Sequence, residues 1–104
     1  MECIFCKIAS GQLGTELVAE NEHAVAFRDI NPQALVHILC VPKKHFKDIS
    51  ELSGSDDLNG LFSLIREVAK GQTDGQFRLQ FNTGEREGQS VFHVHAHILS
   101  SREI

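Results

Sequence analysis

Apolar and polar residues alternate along this chain with two periods, one near 3.6 and one of 2, and the changes between them mark out the elements. A short helix is expected over residues 3–9, stopped by Ser10 and Gly11. Residues 17–20 and 24–28 read as two strands around the polar Asn21-Glu22-His23 turn, because Val25 and Phe27 alternate with smaller or polar neighbours. Asp29-Ile30-Asn31-Pro32 is a turn by composition. The β-rich run 35–41 follows, ended by Pro42, with His37, Leu39 and Val41 on one face. Ser55-Asp56-Asp57 then offers an N-cap and first-turn acids to a helix on which Leu58, Leu61, Phe62, Ile65, Val68 and Ala69 recur until Gly71. Period 2 returns over 76–82, where Phe77, Leu79 and Phe81 face away from Arg78, Gln80 and Asn82, and again in a last strand over 91–99. These elements predict an α+β fold: a five-stranded, mainly antiparallel sheet, one long helix on one face and a short N-terminal helix. The face opposite the long helix is then available to a ligand.

Charge narrows the partners. Ten basic residues against fourteen acidic ones leave a net charge of -4. That sign is wrong for tracking a nucleic-acid backbone, so no nucleic-acid partner is expected. Nowhere do eighteen apolar residues run together, and the opening MECIFCK has no basic leader followed by an apolar stretch. A cytoplasmic protein with no membrane partner is the expectation. With 104 residues and no repeat or charge block, residues 1–104 are expected to form one domain, burying about two-thirds of the surface the unfolded chain exposes. The cysteines number three, and Cys3-x-x-Cys6 suits a metal or a redox pair better than a secreted disulfide framework.

The least ordinary string is His93-Val94-His95-Ala96-His97. On a strand its period of 2 sends three imidazoles to one face and Val94, Ala96 and Ile98 to the other. Rings two residues apart sit roughly 6.5–7 Å from one another at Cα, so adjacent members can share a metal while the outer two stand about twice as far apart. The other use of such a row is phosphoryl chemistry. Donors along a rail hold the phosphate oxygens, and one neutral imidazole attacks phosphorus. An imidazole titrates near neutrality and can serve as nucleophile or proton donor. Upstream, residues 84–90 (GEREGQS) supply glycines whose backbone N–H groups can approach an anion, and the Ser90 hydroxyl.

Residues 88–99 (GQSVFHVHAHIL) resemble the signature of the histidine triad (HIT) superfamily, His-φ-His-φ-His-φφ with φ apolar, and in particular its Hint-like purine nucleoside phosphoramidase branch. Residues 3–8 (CIFCKI) resemble the opening of many bacterial members, 26–34 (AFRDINPQA) their nucleoside-pocket turn, and 37–45, ending Pro42-Lys43-Lys44-His45, the next strand and its exit. The resemblance spans nearly the whole chain in order and implies a HIT-like fold. It also implies that His95 is a nucleophile forming a covalent nucleotidyl-imidazole intermediate that water hydrolyses. His97 would contact the phosphate, Ser90 the leaving group or a nonbridging oxygen, and His93 would orient His95. Asp29 would bind the ribose diol, and Phe27, Ile30 and Val18 would form the base slot. Asn82 would lie near the ribose or phosphate, with Gly88 and Gln89 beside the substrate. Cys3, Cys6, His45 and His93 resemble a structural zinc site, and the transfer itself needs no metal.

The activity so implied is hydrolysis of the P–N bond in purine nucleoside phosphoramidates of the AMP-amine type. A dinucleoside polyphosphate hydrolase and a nucleotide-binding interaction module with little turnover are the alternatives, and H-x-H metallohydrolysis is a third. Hint-like members are two-fold dimers whose sheets join into one of ten strands, so a homodimer is expected. The chain departs from the pattern after His97. Seven residues follow, none of them Trp, and Ser100-Ser101-Arg102 stand where Gly or Pro is common, so the strand exit is expected to differ.

Overall fold

A computed structural model describes residues 3–102. The chain forms α1 (Ile4–Ala9), β1 (Ala19–Glu20), β2 (Ala24–Arg28), β3 (Val36–Pro42), α2 (Ser55–Gln72), β4 (Arg78–Gln80) and β5 (Ala96–Ser100), with short 3-10 turns at Ile49–Glu51 and Glu85–Glu87. The five strands make one antiparallel sheet in the order β1-β2-β3-β5-β4. The expected α+β architecture is present.

Alternation in the three central strands builds two cores. Ala24, Ala26, Val36, Ile38, Cys40, Ala96 and Ile98 face α2 and meet Leu61, Leu64, Ile65 and Val68, whereas Val25, Phe27, Leu39 and Val41 face α1 and meet Phe5 and Ile8. The Asn21 carboxamide shapes the β1–β2 turn, its Oδ1 accepting the N–H groups of His23 and Ala24 at 2.9 Å each. Burying each large α2 side chain contributes about 1.5–3 kcal/mol. That sum outweighs the lack of a side-chain cap at Gly54, a feature worth about 1 kcal/mol. The N-cap is therefore Gly54, with Ser55 already inside the helix. Leu64 belongs to the buried stripe, and Leu58, expected there, is exposed.

Regular pairing is shorter than periodicity suggests. β1 has two residues and β4 three, and β5 starts only at Ala96, so 91–95 is not ladder-paired strand. The reason lies in side-chain demands. Gln89 Nε2 donates to the carbonyls of Lys47 and Val91 at 2.8 and 3.1 Å, and the Val94 N–H donates to Phe46 O at 2.8 Å, which tie 89–94 to the loop after β3.

α2 passes close to the β1–β2 turn at Gly60, whose carbonyl accepts from Asn21 Nδ2 at 2.8 Å. A Cβ there would collide with the Cβ and Cγ of the His23 side chain. Gly60→Ala is therefore expected to destabilise the fold by up to about 2 kcal/mol, because an overpacking cost at the upper end of about 1–3 kcal/mol exceeds the roughly 1 kcal/mol gained in helix propensity. Denaturant melts check this, and an increase in midpoint would contradict it.

Candidate active site

The three imidazoles of 93–97 stand on the α1 side of the sheet. Phe5 packs edge-on against His93 and His95, at ring-centroid distances of 5.9 and 5.1 Å, while Val94, Ala96 and Ile98 lie in the core under α2. The hydrogen bonds assign the neutral tautomers. A carbonyl only accepts, so the His95 ring must donate from Nδ1–H to His93 O at 2.9 Å, leaving the Nε2 lone pair free. The Gln33 N–H donates to His37 Nδ1 at 3.0 Å, which puts the His37 proton on Nε2. That Nε2 lies 2.9 Å from His97 Nδ1 and 3.4 Å from an Asp29 carboxylate oxygen, so His97 Nδ1 accepts and its own proton sits on Nε2. His95 thus offers a lone pair and its neighbour, with rings 4.9 Å apart, offers a donor.

Burial keeps both rings neutral. It lowers the His95 pKa, against the opposing effects of the His93 carbonyl and the Asp29 charge. Burial, together with the neighbouring His95 and His37, pulls His97 down to about 4. The unfolded chain takes up a proton at the ordinary value of 6.5, before the folded one does. The stability contributed by this group is therefore complete above pH 6.5 and is lost progressively as pH falls towards 4. Urea midpoints measured across that interval are expected to drop, and less steeply in His97→Gln. Equal slopes in the two proteins would contradict the assignment.

Two cavities meet at these rings. An apolar lobe of about 390 Å³ is walled by Ile4, Phe5 and Ile8 of α1, by Phe27 and Leu39 of the sheet, and by Ile30 at its rim. A polar lobe of about 440 Å³ is lined by Asn31, Gln33, Gln80, Asn82 and Gly88. Asp29, Ser90, His95 and His97 border both. The compound shape suits a ligand with one flat apolar end and one polar, hydrogen-bonding end.

Comparison with known proteins settles the family. A family model described as "Scavenger mRNA decapping enzyme C-term binding" matches residues 2–103. Protein HitA of Neisseria gonorrhoeae is 41% identical over 103 residues, 95% of each chain. The structure superposes on that of a HIT family hydrolase from Legionella pneumophila with a TM-score of 0.87 at 38% identity, covering 97% of this chain and 94% of the other. A histidine triad protein from Clostridium difficile gives a TM-score of 0.87 at 39% identity, covering 100% and 94%. The chain belongs to the HIT superfamily.

Within this HIT chain the cleft gathers His95, His97, Ser90, Asp29, Ile30, Phe27, Asn82 and Gly88. His93 turns away from it, its Nε2–H donating to Pro42 O at 2.8 Å. Three expectations need correction. Val18 packs against the α2-side core and borders a hollow with Glu67 and Val68, so it cannot join a base slot on the opposite face. Gln89 is 2% exposed, and its side chain is committed to backbone, Oε1 accepting from the Gly84 N–H at 2.9 Å and Nε2 donating to Lys47 and Val91. The glycine N–H groups of 84–90 do not form an anion cradle. Gly84 N–H serves Gln89, and Gly88 N–H donates to Glu85 O at 3.1 Å. The site residues that sequence reasoning missed are His37, Leu39 and the Ile4/Phe5/Ile8 face of α1. His37 sat on the same alternating face as Leu39 and Val41, which was the available signal.

Among the described residues two groups of side chains could hold a metal ion: Cys3, Cys6, His45 and His93, and Asp29, His37 and His97. Their hydrogen bonding separates them. His93 directs its Nδ1 lone pair, freed by the Nε2–H bond to Pro42, at Cys3 Sγ, Cys6 Sγ and His45 Nδ1, at 3.3, 3.5 and 3.2 Å, and Cys6 Sγ lies 3.4 Å from His45 Nδ1. A tetrahedral zinc with bonds of about 2.0–2.3 Å requires ligand–ligand edges of about 3.3–3.8 Å, and these distances fit it. In the second group the His37 Nε2 proton occupies the centre, so it is a hydrogen-bonded chain.

Proposed function

We propose that this protein hydrolyses the P–N bond of purine nucleoside phosphoramidates, AMP joined to an amine, through a covalent intermediate on His95. The observation that carries the reading is the Nδ1–H bond of His95 to the His93 carbonyl, which leaves an uncharged Nε2 lone pair at the junction of the two lobes. The base enters the apolar lobe beside Phe27 and Ile30, and the ribose diol donates to Asp29. His95 Nε2 attacks the α-phosphorus and the P–N bond breaks. The His93 carbonyl stabilises the positive charge that the ring acquires, while the departing nitrogen takes the Ser90 hydroxyl proton, which a proton from solvent replaces. Water then attacks phosphorus and breaks the Nε2–P bond, its displaced proton passing to solvent, which gives AMP and restores neutral His95. His97 Nε2–H holds a phosphate oxygen during both steps, and His37 keeps that tautomer in place. The names of similar proteins, a HIT family hydrolase and a histidine triad nucleotide-binding protein, support nucleotide hydrolysis in general. Rapid mixing with an AMP-amine and intact-mass spectrometry tests the mechanism. An adenylyl adduct mapping to His95 is expected, and turnover with an adduct elsewhere would overturn it.

Cys3, Cys6, His45 and His93 would hold a zinc ion whose role is structural. Burial, and the Cys3 thiol beside it, raise the Cys6 pKa, and a bound cation supplies the compensation that thiolates need at neutral pH. The three free cysteines favour a cytoplasmic setting. Among the described residues no helix is long and apolar enough to cross a membrane.

A homodimer completes the sheet in this reading. β4 pairs on one side only, with β5, and exposes Leu79 while Phe77 and Leu35 lie uncovered beside it. Such an edge invites a second copy. Sedimentation at micromolar concentration is expected to give a dimer, and Leu79→Lys a monomer; a wild-type monomer would refute it.

A further inference from the structure

α1 serves the metal-ligand cluster and the nucleoside lobe at once. Its N-cap Cys3 and its residue Cys6 supply two of the four ligand atoms, and Ile4, Phe5 and Ile8 line the apolar lobe. A helix of six residues does not hold its shape unaided. On the sheet side it rests on a small core around Phe5 and Ile8 and on the contacts of its two thiols with His93 and His45. Phe5 bridges the two sites, packed edge-on against His93 of the cluster and His95 of the cleft, and tilted on Phe27 of the lobe floor at 5.6 Å. Among the described residues the α2-side core contains no α1 residue, so the packing of the sheet on α2 does not depend on how firmly α1 is docked.

We propose that a metal ion bound by Cys3, Cys6, His45 and His93 sets the affinity of the cleft for nucleotide, by docking α1 as a wall of the apolar lobe. This rests on the cleft being a nucleotide site. Without the ion, α1 opens locally while the sheet stays folded, and only the docked fraction presents a complete slot. A docked fraction of about one tenth weakens the apparent nucleotide affinity about tenfold. Linkage makes the effect mutual, so nucleotide tightens the metal by the same factor.

The test uses the zinc-loaded chain and AMP. Calorimetric titration before and after zinc removal by a chelator is expected to show AMP binding about tenfold weaker without zinc, within the range usual for coupled sites. Far-UV circular dichroism should keep the α2 and sheet signals. Chelator competition should show zinc held about tenfold more tightly under saturating AMP. Equal AMP affinity with and without zinc overturns the coupling and leaves the hydrolytic reading intact. Global unfolding on chelation also overturns it, since the linkage would then run through the whole fold, and so does a chain that takes up no zinc. Failure of AMP to bind the zinc-loaded chain overturns the nucleotide assignment of the cleft and this inference with it. Phe5→Leu provides a second arm. It is expected to bind zinc as wild type does in the absence of AMP but to show a smaller coupling factor, and an undiminished factor would remove Phe5 from the route.

Discussion

Hydrolysis of an AMP-amine is expected to fall by about 10⁴-fold or more in His95→Ala, with AMP affinity within about threefold of wild type. The asymmetry follows from what the ring does. Its Nε2 lone pair is the group placed to bond phosphorus, whereas nucleotide affinity comes from the two lobes, of whose many lining residues His95 is one. Truncation opens space beside an existing cleft, so the fold loses little. The conservative variant His95→Gln is expected to be equally inactive, since an amide can hydrogen-bond but cannot form a hydrolysable phosphoryl adduct. Single-turnover kinetics and AMP titration on the same preparations separate the two effects. Activity within tenfold of wild type in either variant would remove the covalent route.

How much of this was legible beforehand differs from element to element. α2 was readable because eighteen residues of sustained periodicity carry their own phase. The central strands were readable because Val25, Phe27, Leu39 and Val41 alternate with residues that face a different core. The strand over 91–99 was over-read. Period 2 describes side-chain direction, and residues 91–95 keep that direction without a ladder, because Gln89 and Val94 bind the loop at 46–47 instead. Val18 failed for a related reason. Hydrophobicity alone does not say which face of the sheet is served by a residue just ahead of a two-residue strand, and Val18 serves α2. Gln89 and the loop glycines were misassigned because a polar loop beside a phosphate site can equally be occupied in holding itself together, which only the donor and acceptor pairing reveals. His37 went unrecognised because its role depends on a cross-strand neighbour, His97, sixty positions away. The cleft histidines His95 and His97 were legible, since a row of rings on one face of one short segment leaves few other uses.

Charge in the polar lobe separates the two hydrolytic substrates. Among the described residues no lysine or arginine lines that lobe; its polar groups are neutral amides, Ser90, His37, the Asp29 carboxylate, and His95 and His97, whose pKa values burial lowers. Arg28 borders the other lobe. An amine leaving group brings no negative charge into this space, whereas a polyphosphate brings at least one close to Asp29. Two unit charges about 8 Å apart in an effective dielectric of about 20 repel by about 2 kcal/mol, which corresponds to a factor of about thirty. An AMP-amine is therefore expected to exceed a diadenosine polyphosphate in kcat/KM by about thirtyfold or more. Gln33→Lys sharpens the comparison. Gln33 is exposed at the lobe's edge and serves His37 through its backbone N–H alone, so an ammonium can be introduced there without disturbing the His37–His97 pair. That variant should gain about tenfold on the polyphosphate at low ionic strength, lose most of the gain in high salt, and keep wild-type turnover of the amine. Comparable kcat/KM values for both substrates in the wild type, or a preference for the polyphosphate, would show that the polar lobe does not select by charge.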